Sequence, residues 1–166
     1  MTLGFRTKIK GKQIHFAEKI IRSLDIPEHE RMTNYDLLSE VQKENEQLNI
    51  HEFQELKPKL HTIREDKKNR WKVGSDIHFV INNRTKNRFQ FAPVLKVKCI
   101  QKISIHNDYG LSKGIYRWVN IDGRQLPKEE IETLARFDGF ENVEDFWDWF
   151  KDDFQGKIIH WTSFTY

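Results

Sequence analysis

A hydroxyl, an amine and a guanidinium stand close together in Lys59-Leu60-His61-Thr62-Ile63-Arg64, directly after Pro58. In a strand begun near Leu60, Thr62 and Arg64 project to one face and Ile63 to the other, because successive side chains of an extended chain alternate. Lys59 has the wrong parity to join Thr62 in an unbroken strand. It reaches the same site only if the chain bends at Leu60 or His61, and Pro58 favours a bend nearby. An amine placed to act as base is a recognised way of activating a hydroxyl. The plainer alternative is a solvated strand edge guarded by Lys and Arg.

Downstream, Arg70-Trp71-Lys72-Val73-Gly74-Ser75-Asp76-Ile77-His78-Phe79 reads as a charged loop, a Gly-Ser-Asp turn and an alternating strand. Together with Lys59-x-x-Thr62-x-Arg64, this pattern resembles the ASCH family, small β-barrels related to the PUA RNA-binding domains. The opening of the chain is similar too, with a strand around Leu3 to Phe5 and a short helix from Phe16 to Leu24. The resemblance spans most of the chain, with two departures. Residues Asp25 to Leu56 stand where the family has a short Gly-Lys turn, and no Gly precedes Lys59.

The resemblance implies an α+β fold: a PUA-like, ASCH-type β-barrel with flanking helices, one domain over residues 1–166 with a helical insertion at about 25–56. It also implies a polar cleft at the barrel mouth that takes RNA or a modified nucleoside. In the family's small amidohydrolases, which remove the acyl group from N4-acetylcytidine, a Thr is the proposed nucleophile, a Lys the base and a Glu the acid/base partner. The matching positions are Thr62, Lys59 and Asp138, the last in Ala135-Arg136-Phe137-Asp138-Gly139-Phe140. Arg64 would lower the amine pKa, whereas an adjacent carboxylate would raise it. Asp in place of Glu shortens the reach by one methylene, and a misplacement of about an ångström can cost roughly a hundredfold. Read without the resemblance, Asp138 is a helix C-terminal residue ahead of a capping Gly.

A length of 166 residues suits one domain with its own core. A composition 37% hydrophobic and 13% aromatic argues against wholesale disorder. The single cysteine, Cys99, lies in the alternating run Val94 to Ile105 and is expected in the core, which leaves no disulfide framework and no Cys-based metal site. No stretch has the length of a membrane span and the N-terminus lacks the apolar core of a signal peptide, so the expected location is cytoplasmic, with no membrane partner. The net charge of +3 hides an asymmetry. Lys57 to Lys102 carries thirteen Lys/Arg against three acids, and Pro127 to Asp153 carries three Lys/Arg against ten acids. The basic stretch either faces a polyanion or pairs with the acidic one.

Asp25 to Arg31 is polar and interrupted by Pro27, which predicts a loop, and Asn34 is a candidate N-cap for a helix from Tyr35 to about Glu46 striped by Leu37, Leu38 and Val41. Strands are expected near Leu60 to Arg64, Asp76 to Ile81, Arg88 to Phe91, Val94 to Ile105 and Tyr116 to Ile121, with turns at Asn82-Asn83 and Asp122-Gly123. Pro127 opens a helix to about Arg136, and Asn142 with Asp145 caps a second one carrying Val143, Phe146, Trp147 and Phe150. A last strand is expected over Lys157 to Phe164.

Trp71, set between Arg70 and Lys72, is either a base-stacking platform in a basic loop or an anchor holding that loop to the barrel. With Arg64 these three are the candidate ligand-binding residues. Trp147, Trp149 and Trp161 have spacings that suit packing. The seven His show no close-spaced pair, so no zinc site is expected, nor any cofactor. His61 falls opposite Thr62 and reads as structural, and His78 shares a face with Asp76. Three functions remain open: recognition of RNA or a modified nucleoside, deacylation of an N4-acylated cytidine, and a protein-interaction module that docks through the inserted helix.

Overall fold

The computed structural model describes residues 1–9, 11–42, 48–110 and 116–166. Strand β1 (Thr2–Phe5) is followed by the short strands β2 (Lys8–Ile9) and β3 (Lys12–Gln13) and by helix α1 (Phe16–Arg22). Helices α2 (Glu28–Val41) and α3 (Ile50–Glu55) fill the inserted segment. Then come β4 (His61–Arg64), β5 (Asp76–Ile81), β6 (Phe89–Gln90), β7 (Leu95–Lys96), β8 (Cys99–Asp108), β9 (Tyr116–Ile121) and β10 (Arg124–Gln125). Helices α4 (Lys128–Phe137) and α5 (Val143–Trp149) and strand β11 (Phe154–His160) complete the described elements of a mixed α+β fold.

The strands form three sheets that do not close into a barrel among the described residues. In the first, β5 is central, with β1 parallel on one side and β6 and β7 antiparallel to it. The second runs β10-β9-β8-β11-β4, all antiparallel, and the third is the β2-β3 hairpin. Closure stops at β4, whose outer side meets a helix end instead of a strand. The Leu60 N–H donates to the Phe137 carbonyl, and the Ile63 N–H donates to Asp138 Oδ1.

Two apolar cores hold these layers. One packs β1, β5, α1, α2 and α3 through Leu3, Phe5, Ile20, Leu38, Phe53 and Phe79. The other packs the five-stranded sheet on α4 and α5 through Ile105, Val119, Leu134, Phe146 and Ile158. Strand β11 serves both, because alternation sends Ile159 into the first core and Ile158 into the second.

Several expectations need correction. Asp25 to Arg31 is not a loop throughout, since α2 begins at Glu28 with Pro27 at its N-cap position. Pro is tolerated at a helix entry, and Glu28 and Glu30 favour the positive end of the helix dipole. Asn34 is mid-helix and donates to the Glu30 carbonyl rather than capping. The expected end near Glu46 lies outside the described residues. Helix α3, not anticipated, is set by a reciprocal cap between Asn49 and Glu52.

The run Val94 to Ile105 is two strands, because Val97 and Lys98 carry the chain from one sheet to the other: Val97 N–H meets Ser75, and Lys98 N–H meets His160. Val97 is buried in the first core, so the apolar alternation passes through the crossing without a mark. Cys99 is half-buried rather than in the core. The last strand starts at Phe154 and ends at His160. No helix among the described residues is long and apolar enough to cross a membrane.

Candidate functional site

Lys59 and Asp138 meet at the start of β4. Asp138 is the C-cap of α4, and Gly139 beyond it takes φ +97°, the left-handed conformation that ends helices and that residues with a Cβ enter at a cost. Helix α1 fixes the other side. Lys59 N–H donates to the Lys19 carbonyl, and Lys19 Nζ donates to the Gly139 carbonyl at 2.9 Å and pairs with Glu141. The bend that brings Lys59 inward therefore rests on α1 and the α4 end together.

Lys59 Nζ lies 2.6 Å from Asp138 Oδ1 and also donates to the Asp138 backbone carbonyl. Asp138 Oδ1 accepts the Ile63 N–H at 3.1 Å and stands 3.8 Å from His61 Nδ1. Lys59 is 1% exposed and Asp138 6%. Burial pulls the Lys59 amine down to about 8; the Asp138 carboxylate and its hydrogen bond pull the other way, and Arg64 and Lys19 add to the lowering. Burial pushes the Asp138 carboxyl up, but Lys59 and His61 outweigh it and the group ends below the usual carboxylate value. Arg64 thus acts as the sequence led us to expect, with burial the larger cause.

His61 and His160 face each other on neighbouring strands, 5.1 Å between ring centroids and both fully buried. His61 Nε2 meets the Tyr166 hydroxyl at 2.8 Å, while neither nitrogen of His160 has a partner. Burial lowers both imidazoles, His160 to about 3.

Thr62 stands apart from this cluster. It pairs with Ile159, whereas His61 and Ile63 lie on the side of His160 and Ile158. Lys59 Nζ is held by Asp138, and Thr62 is not among its partners. Arg64 donates to the Gly4 carbonyl and lies over the Phe5 ring. Trp71 is a core residue at 6% exposure, so its ring anchors the loop and offers no face to a base. Asp66 holds that loop, accepting the N–H groups of Arg70 and Trp71 and the Lys157 ammonium. Arg70 and Lys72 are exposed on it.

A cavity of about 300 Å³ opens beside the Lys59–Asp138 pair, walled by Phe16, Phe140 and Trp149 from α1, the α4–α5 turn and α5, with Gln13 of β3 and the acids Glu141 and Asp145 also lining it. Phe16 separates the two: its ring lines the cavity, and Lys59 Nζ lies 5.0 Å from its centroid. The Gln13 amide has both its nitrogen and its oxygen buried without a partner. Arg6 lies over the Trp149 ring. Sequence reasoning missed Gln13 and Phe140 altogether and assigned Trp149 to packing, whereas it is 44% exposed. The one signal was the weak polar hairpin before α1, which carries no periodic apolar pattern. Among the described residues no group of three or more His, Cys, Asp or Glu is arranged to hold a metal ion.

Comparison with protein-family models, with curated proteins and with solved structures finds no match to this chain.

Proposed function

We propose that the protein is an ASCH-type, PUA-like domain that recognises a nucleoside, free or presented by RNA, in the cavity walled by Phe16, Phe140 and Trp149. The observation that carries this reading is the Gln13 amide, buried without a partner in an aromatic cavity. An amide offers an acceptor and two donors, the complement of a base edge, while aromatic rings take the faces of an unpaired base. A buried polar group without a partner costs about 1–3 kcal/mol, which a bound base edge would relieve. Glu141 and Asp145 at the cavity favour exocyclic amino groups and oppose a phosphate, so the preferred ligand is an amino-bearing nucleoside rather than a nucleotide.

The test is quenching of tryptophan fluorescence by cytidine, adenosine and uridine, checked by calorimetry. Cytidine and adenosine should bind more tightly than uridine or any monophosphate, and Gln13→Leu should lose about tenfold in affinity. Equal binding by wild type and Gln13→Leu, or no binding at all, would overturn the reading.

A second reading, deacylation of N4-acetylcytidine, is favoured by one observation: a buried amine with a pKa of about 8, one aromatic ring from the cavity. Lys59 would have to leave Asp138 and take the Thr62 proton as that hydroxyl attacks the acyl carbon. Turnover should then rise with pH through about 8, vanish in Thr62→Ala and nearly vanish in Lys59→Met, because nucleophile and base act as a unit. Asp138→Glu should raise it by restoring the longer acid of the enzymes this motif resembles. If neither wild type nor Asp138→Glu hydrolyses the nucleoside, the deacylase reading fails and only binding remains.

A further inference from the structure

The outer face of the five-stranded sheet carries a second pattern, remote in register from the Gln13 cavity. Alternation along β8 and β9 sends Ile103, Ile105, Val119 and Ile121 into the core and turns Lys102, Ser104, His106, Tyr116, Trp118 and Asn120 the other way. The pairing register lays these out in successive rows. Lys102 stands beside Lys157, which stands beside Arg64. The next row is Asn120, Ser104 and Gln155, lining a shallow groove, and after it come Trp118 and His106, then Tyr116. His106 stacks on Trp118 with centroids 4.8 Å apart and planes 12° apart, and the Tyr116 ring follows at 5.3 Å. Tyr116 is 62% exposed. Four residues of strand, about 13 Å, separate the aromatic row from the cationic one.

We infer that this face binds single-stranded nucleic acid, with bases stacked on Tyr116 and Trp118 and the backbone running over the groove toward Lys102. Charge complementarity selects this ligand. The ion pair of Lys157 with Asp66 ties the loop 65–72 to the cationic row, and that loop presents Lys67, Lys68, Arg70 and Lys72. The nearby acids are engaged: Asp122 accepts from Gln101 and the Lys102 N–H, and Asp153 accepts from the Asn107 N–H and faces His106. Stacked rings suit any base and cations track phosphates, so the expected preference is for unpaired strands of any sequence. The inference stands apart from the nucleoside cavity and does not depend on it.

The experiment is fluorescence anisotropy of the whole chain with labelled oligo(U), oligo(dT) and a duplex, each of about ten nucleotides. Both single strands should bind better than the duplex, and the ratio of the two shows whether RNA or DNA is the source. Affinity should fall with added salt. Trp118→Ala and Tyr116→Ala should each weaken it roughly 5- to 150-fold, and Trp118→Phe should keep most of it. Lys102→Glu and Arg70→Glu should weaken all sequences alike. Nucleoside binding should be unchanged in the Tyr116→Ala chain, so failure of one site is distinguishable from failure of the other. Wild-type affinity in Tyr116→Ala and Trp118→Ala overturns the inference, as does salt-independent binding of a neutral oligosaccharide in place of the oligonucleotides. Should Trp118→Ala fail to fold, the exposed Tyr116 decides alone.

Discussion

Lys59 and Asp138, 79 residues apart, form one buried ion pair. Removing one charge strands the other in a low dielectric, which typically costs about 3–5 kcal/mol, whereas replacing both with apolar groups is often neutral. Urea unfolding of Lys59→Met, Asp138→Leu and the double variant should therefore show each single change strongly destabilising and the double less so than their sum. A second prediction concerns pH. His61 and His160 stay neutral in the fold at pH values where the unfolded chain, with imidazoles near 6.5, takes up protons. Stability is therefore full above about 6.5 and falls as pH drops from there toward about 3, the folded value for His160. Thermal unfolding followed between pH 7.5 and 4 should show the loss, and His160→Gln should reduce its slope. Neither effect was legible at the residue level. The motif pointed to Lys59 and Asp138, but His61 read as structural and His160 as a strand residue, because their burial comes from partners scattered along the chain.

At the level of elements, the α4 end depends on Gly139. A Cβ there would lie 3.0 Å from both Lys59 Cδ and the Phe16 ring, on a backbone already at positive φ. Gly139→Ala should cost at least about 1–2 kcal/mol from the backbone alone, read as a lower urea midpoint, and should disturb the cavity wall at Phe16 as well. The sequence showed where most strands lie: β5 and β9 fall on their expected residues, since each has strict alternation between clear turn signals. It did not show the crossing at Val97 and Lys98, because a strand changing sheets keeps its alternation when both sheets offer a core. The start of α2 was hidden by Pro27, which reads as a breaker and acts as an entry.

Across the whole molecule, charge is distributed as the sequence foretold but is not self-neutralised. Among the described residues one ion pair, Lys59–Asp138, joins the basic stretch 57–102 to the acidic stretch 127–153. Most of the basic residues therefore remain available to solvent or to a polyanion, and salt should act on ligand binding more than on folding. The absence of barrel closure has a cause equally invisible in sequence, the helix end that occupies the outer side of β4. That placement carries a consequence for self-association. A terminal strand with free N–H groups is a template on which a second chain can add its own strand. Asp138, by accepting the Ile63 N–H, plugs that template with a carboxylate, so the residue that holds the buried amine also keeps neighbouring molecules apart. Asp138→Leu should therefore raise aggregation in concentrated solution beyond what its lost stability alone explains. Light scattering at matched fraction folded, against a core variant such as Ile105→Ala, would measure the difference.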